Sequence, residues 1–118
     1  MLALVVADDL LHRDSLCAML IALAGADTID AVDCEAARRV MAAVQPDLML
    51  VDGALPPDEL RCLVEEVTQR RPPVRCAVLR VELSQRAALE EAGAGFIVPE
   101  GEPPERFFDR MAQWFAAA

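Results

Sequence analysis

The sequence predicts an α/β domain built on an open parallel sheet, and three observations carry that expectation. Apolar runs of strand length alternate five times with helical stretches, the links between them are short, and the strongest runs are continuous, as strands buried on both faces must be. At 118 residues the chain has the size of one domain, residues 1–118, with material for one hydrophobic core and not for two.

Leu2 to Ala7 is the first such run, stopped by Asp8 and Asp9. Leu16, Met19, Leu20 and Leu23 then fall at i, i+3, i+4 and i+7, one stripe of an amphipathic helix that Gly25 can close. Thr28 to Val32 reads as a weaker strand, and Ala37, Val40, Met41 and Val44 share one face of a second helix ended by Pro46. Leu48 to Val51 is the third strand, flanked by Asp47 and Asp52, after which Gly53, Pro56 and Pro57 force a loop. Leu60, Leu63, Val64 and Val67 repeat the helical spacing. Pro72 and Pro73 precede a fourth strand, Val74 to Leu79, and Ser84 is the expected N-cap of a helix running to Ala92. A short fifth strand, Gly95 to Val98, leads through Pro99, Pro103 and Pro104 into a last helix bearing Phe107, Phe108, Met111, Trp114 and Phe115.

Composition narrows the function. The formal net charge is −9, so direct attraction to nucleic acid or anionic lipid is not expected of this domain. Every basic residue apart from His12 is an arginine, which removes any catalytic lysine. The cysteines, Cys17, Cys34, Cys62 and Cys76, show no CxxC spacing and read as reduced, packed thiols. The opening run has neither a basic leader nor the length of a membrane span, so a cytoplasmic protein is expected. No G-x-G-x-x-G, Walker loop or Ser/His/Asp arrangement is present, so no enzyme activity is expected.

In parallel sheets of this kind ligands bind beyond the carboxyl ends of the strands, where the strand order reverses. Asp8 and Asp9 end the first strand and Asp52 ends the third, so folding should bring three carboxylates to one edge. Two carboxylates about 4 Å apart repel by about 4 kcal/mol at an effective dielectric of about 20. Such a cluster invites a hard cation such as Mg²⁺. The competing reading is that each aspartate merely caps a helix. His12, in the first helical turn, lies close enough to tune such a site, although a lone surface histidine more often has no such role.

These residues resemble the receiver domain of bacterial response regulators over essentially the whole chain. The resemblance rests on the Asp8–Asp9 pair, on P-D-L-M-L-V-D-G-A-L-P from Pro46 to Pro56, and on G-A-G-F-I-V from Gly93 to Val98. Its local flavour is similar to receivers that precede helix-turn-helix output domains in transcription regulation. The resemblance implies a flavodoxin-like (βα)5 sandwich with strand order 2-1-3-4-5. It further implies Asp52 as phosphoacceptor, Asp9 as a direct Mg²⁺ ligand, Asp8 acting through a metal-bound water, and the Ala54 carbonyl as a further ligand. The implied partner is a sensor histidine kinase or another phosphodonor protein, with a homodimer through the last helix as a further implied pairing.

Two positions depart from that pattern. The family places a hydroxyl residue at the end of the fourth strand, where this chain has Arg80, and a lysine three residues after an aromatic, where Phe96 is followed by Pro99. Proline has neither charge nor backbone donor. The sequence therefore supports a phosphorelay receiver with an atypical activation site and a weakly held Mg²⁺. Its alternative is a pseudo-receiver that works as an interaction or dimerisation module without phosphorylation. Arg80 is the residue on which the two diverge, since it can lie against Asp52 and take the place of the metal, meet an aspartyl phosphate, or point into solvent.

Overall fold

A computed structural model describes residues 1–117; Ala118, the end of the expected domain, lies outside the described residues. In chain order the elements are β1 (Leu2–Val6), α1 (Leu10–Ala24), β2 (Asp27–Ala31), α2 (Cys34–Ala43), β3 (Leu48–Asp52), α3 (Pro57–Thr68), β4 (Arg75–Val81), α4 (Arg86–Ala92), β5 (Phe96–Pro99) and α5 (Pro104–Ala116). The strands form one parallel sheet in the order β2-β1-β3-β4-β5, the expected flavodoxin-like arrangement.

Alternate residues of each strand feed two cores. Leu4, Val6, Met49, Val51, Cys76 and Val78 join the core that α2, α3 and α4 cover. Ala3, Val5, Leu48, Leu50, Ala77 and Leu79 join the one beneath α1 and α5. Burial on both faces explains why the central runs are unbroken, and the edge strand β2, half exposed, is accordingly the weakest in sequence. Because every pairing is parallel, all the strands end on the same rim. That rim carries Asp8, Asp9, Asp52, Arg80 and Pro99.

Several boundaries differ from expectation for local reasons. The stripe of α1 is buried at Leu16, Met19 and Leu20, but Leu23 is exposed because the helix runs past the sheet before Gly25 caps it in the left-handed region (φ +60°). Val44 is the C-cap of α2 and not part of its face. Pro57 opens α3, as its fixed φ permits at the first helical position. β4 continues two residues beyond Leu79, to Val81. Ser84 caps nothing: it sits inside a short 3₁₀ turn, Leu83–Gln85, closed by a capping box between Glu82 and Gln85. In α5 only Met111 is fully buried, while Phe108 is exposed.

The cysteines are unpaired, and burial pushes the Cys76 thiol up to about 12 from its ordinary 9.0, with Cys34 raised by the same cause. A thiol held neutral in the fold but free to ionise in the unfolded chain adds stability below about pH 9; that stability is lost as pH rises from 9 toward 12. Labelling with a soluble disulfide reagent at pH 8 should modify Cys62 first and spare Cys34 and Cys76 until urea unfolds the protein. Reaction of Cys76 as fast as Cys62 would show that β4 is not sealed.

Candidate functional site

Asp52 is fully buried, the one charged residue with no exposed surface among the described residues. A carboxylate in that position requires compensation, and Arg80 supplies it. Its Nε donates to Asp52 Oδ1 at 3.1 Å and its Nη2 to Oδ2, a bidentate pair. The Ala54 backbone N–H donates to Oδ1 at 3.0 Å. The hydrogen bond to Asp52 holds the Arg80 guanidinium above its ordinary value; burial opposes it, and the charges of Asp52, Asp8 and Asp9 add lesser upward pushes.

The backbone is bent to make this contact. Between β4 and β5 the register passes from Val78↔Ile97 to Val81↔Pro99, so β4 carries one extra residue, a bulge of the kind that re-aims a side chain. Arg80 lies in it at φ +56°, the one non-glycine residue with positive φ among the described residues. That conformation costs about 1–3 kcal/mol, whereas each hydrogen bond to a charged group is worth about 1.5–3 kcal/mol. Two such bonds, weakened because Arg80 is half exposed, offset the strain. Gly53 allows the approach from the other side: its N–H donates to the Leu79 carbonyl at 2.6 Å, and a Cβ there would stand 2.8 Å from that oxygen and 2.9 Å from the Arg80 carbonyl. The Gln85 side chain then ties the turn down by donating to the Gly53 carbonyl at 3.3 Å.

The expected metal ligands Asp8, Asp9, Asp52 and Ala54 all lie at this rim, the carboxylates turned to different partners. Asp9 is the N-cap of α1, its Oδ1 accepting from the Leu11 and His12 N–H groups at 2.9 and 3.2 Å. Asp8 and Ala54 are exposed. Among the described residues no three His, Cys, Asp or Glu side chains are grouped to hold a metal ion. The donors have the hard-oxygen chemistry that suits Mg²⁺, and because a guanidinium engages both oxygens of the central carboxylate an ion would have to compete with Arg80 for Asp52. His12 approaches Asp52, Nε2 to Oδ2 3.9 Å, too far for a hydrogen bond.

Phe96, the expected switch aromatic, is packed between two partners: the Trp114 ring at 5.7 Å and the Arg110 guanidinium at 4.9 Å. Arg110 in turn chelates Glu102 at 2.9 and 2.8 Å and donates to the Ile97 carbonyl at 3.1 Å. Arg75 pins the far end of α5, lying over the Trp114 ring at 4.4 Å and donating to its carbonyl. Pro99 is exposed at the end of β5 and presents no head group to Asp52. Sequence reasoning missed the Glu102–Arg110 clamp, for which no spacing rule gives a signal. It also took Gly53 only as a loop former, although a glycine directly after a buried aspartate was the available clue.

No family model matches this sequence, and no curated protein matches it. Solved structures do match in fold. The receiver domain (CheY-like) of a response regulator from Methanospirillum hungatei JF-1 superposes with a TM-score of 0.80 at 20% identity, covering 98% of this chain and 94% of that one. A LuxR-family two-component response regulator from Aurantimonas sp. SI85-9A1 gives 0.80 at 20% identity over 98% of this chain and 85% of its own. The receiver domain of a sensor histidine kinase from Pseudomonas aeruginosa PAO1, which holds a magnesium ion coordinated in its active-site cleft, gives 0.76 at 20% identity over 99% and 98%. The fold is that of the response-regulator receiver domain.

Two measurements check the geometry. In urea unfolding, a double-mutant cycle on Asp52→Ala and Arg80→Gly should return a coupling of about 1–3 kcal/mol, discounted from the cost of breaking a fully buried pair because Arg80 is half exposed. Additive effects would mean that the two side chains do not meet. Gly53→Ala should cost about 1–3 kcal/mol and weaken that coupling, since the added methyl displaces the end of β4.

Proposed function

We propose that this chain is the receiver module of a two-component signalling system that works as a phosphorylation-independent interaction domain, and not as an enzyme. The observation that supports this reading is the bidentate Arg80–Asp52 pair. An aspartate becomes a phosphoryl acceptor by presenting a carboxylate oxygen in line with the incoming phosphorus. Here Oδ1 accepts from Ala54 and Arg80, Oδ2 accepts from Arg80, and the side chain has no exposed surface. The clamped Phe96 and the headless Pro99 remove the groups that would carry a phosphate signal outward. What the domain offers a partner is therefore a surface of fixed shape, suited to a histidine kinase or an output domain of the same signalling system, in the cytoplasm. No helix among the described residues is long and apolar enough to cross a membrane.

One observation favours a second reading, in which Asp52 is a phosphoacceptor. The Arg80 side chain is 47% exposed, so it has room to swing out and uncover the carboxylate, and Mg²⁺ would then bind weakly in competition with it. Incubation with acetyl phosphate and millimolar Mg²⁺, read by intact-mass spectrometry, separates the two. The wild-type protein should stay unmodified. Arg80→Gly, which suits the positive φ where Thr would not, should bind Mg²⁺ more tightly and gain one labile phosphate. A wild-type protein that gains the phosphate, losing it in Asp52→Asn, would overturn the phosphorylation-independent reading.

A further inference from the structure

On α1, apolar residues are not confined to the side that faces the sheet. Leu16, Met19 and Leu20 are buried there, yet Leu10, Leu11, Ile21 and Leu23 are exposed, Leu11 at 78%, and Ala18 and Ala22 are exposed with them. A helix that is apolar all round is normally covered all round. The charge pattern marks the same surface. In a chain of formal charge −9, the twelve residues from Ser15 to Ala26 carry no charge. Arg13 is turned to Asp30 and the Ala7 carbonyl, which leaves Asp14 as the exposed charge of the helix. By contrast α5, through which the resemblance implies pairing, shows solvent Glu105, Arg106 and Asp109.

Leu11, Ser15, Ala18 and Ala22 follow one another at spacings of four, three and four, the seam of a coiled-coil pair, and lie within about 60° of one another round the helix. Two copies of that seam fit each other when they run antiparallel. Leu11 then meets Ala22 of the second copy and Ser15 meets Ala18, so each end sets a large side chain against a small one and the middle closes on two small ones. The contact is isologous, as a two-fold dimer requires. Charge selects the same surface, because two strongly acidic molecules touch with least repulsion where neither carries charge. We propose that α1 is a homodimerisation surface, on which two copies pair antiparallel through the seam of Leu11, Ser15, Ala18 and Ala22. The Asp14 residues of the two copies then flank the seam about 8 Å apart along its axis, at a rise of about 1.5 Å per residue. One helix crossing buries less than the roughly 1,200 Å² at which stable interfaces begin, so the pairing is reversible. Salt, which screens the Asp14 pair and the net charge, strengthens it. The pairing goes beyond the Asp52 question and needs neither phosphate nor metal.

Sedimentation equilibrium of the full chain tests it. A monomer–dimer equilibrium is expected, with a dissociation constant of about 100 µM at physiological salt and severalfold tighter at about 1 M salt. Asp14→Asn should tighten pairing at low salt, and Ala18→Arg should leave a monomer; both positions are exposed and arginine is a good helix former, so the fold is not at stake. Direction is read by isotope-filtered NMR on a mixture of labelled and unlabelled chain, where the Leu11 methyls should contact the Ala22 methyl of the other copy. A chain that stays monomeric at about 1 mM in both salts would leave this face to a different protein and overturn the proposal. So would a dimer untouched by Ala18→Arg, which would place the pairing on another face, a dimer that salt dissolves, or contacts of Leu11 with Leu11. Each of these results leaves the Asp52–Arg80 coupling and the acetyl-phosphate outcome as they stand, so the two readings fall separately.

Discussion

A carboxylate with no exposed surface must be neutralised, and the Asp52–Arg80 ion pair is how this molecule does it. Much of what is unusual at the strand ends follows from that requirement. Arg80 can reach Asp52 because β4 carries a bulge and adopts a left-handed residue there, and the bulge can sit where it does because Gly53 has no side chain. Strain in the backbone is tolerated because two charge-assisted hydrogen bonds offset it. The cation that balances Asp52 is built into the chain.

The rest of the domain is arranged to hold that rim still. The sheet is buried on both faces by two separate apolar cores, so the strand ends cannot shift independently of the layers above and below them. On the α5 side, Arg110 binds Glu102, the Ile97 carbonyl and the face of Phe96 at once, while Arg75 fixes Trp114. Arginine suits these positions because one planar group can form a bidentate bond and stack on a ring together. In a chain without lysine, the same side chain has taken over charge balance, aromatic stacking and carbonyl capping.

The fold was legible in the sequence because burial on both faces writes itself as continuous apolar runs, and Leu2–Val6 and Leu48–Val51 have no other economical reading. The shared rim followed from the strand and helix alternation, whereas the strand order came from the resemblance that the aspartates carry. Boundaries were less legible where local hydrogen bonding overrode pattern: Glu82 and Gln85 close the turn that Ser84 was expected to start, and Arg80 lies within a strand expected to stop at Leu79. At the site, the position of each aspartate was readable, but its orientation was not. Asp9 faces its own helix and Asp52 faces Arg80, because a side chain follows its nearest donors, and those donors come from backbone geometry that a sequence does not display. The Arg80–Asp52 contact was foreseeable as one of three outcomes; the bulge and the glycine that enable it were not.

Arg80 at positive φ also bears on how this pocket can change over generations. A threonine at position 80 is one residue away on paper, yet its β-branched side chain fits the left-handed conformation poorly, and the neighbouring backbone is held by Gly53, whose N–H and missing Cβ both depend on the end of β4 staying where it is. The path back to a hydroxyl-bearing pocket therefore runs through an intermediate with an unpaired buried carboxylate, or through a prior loss of the extra residue in β4. Each route is worse than either end point.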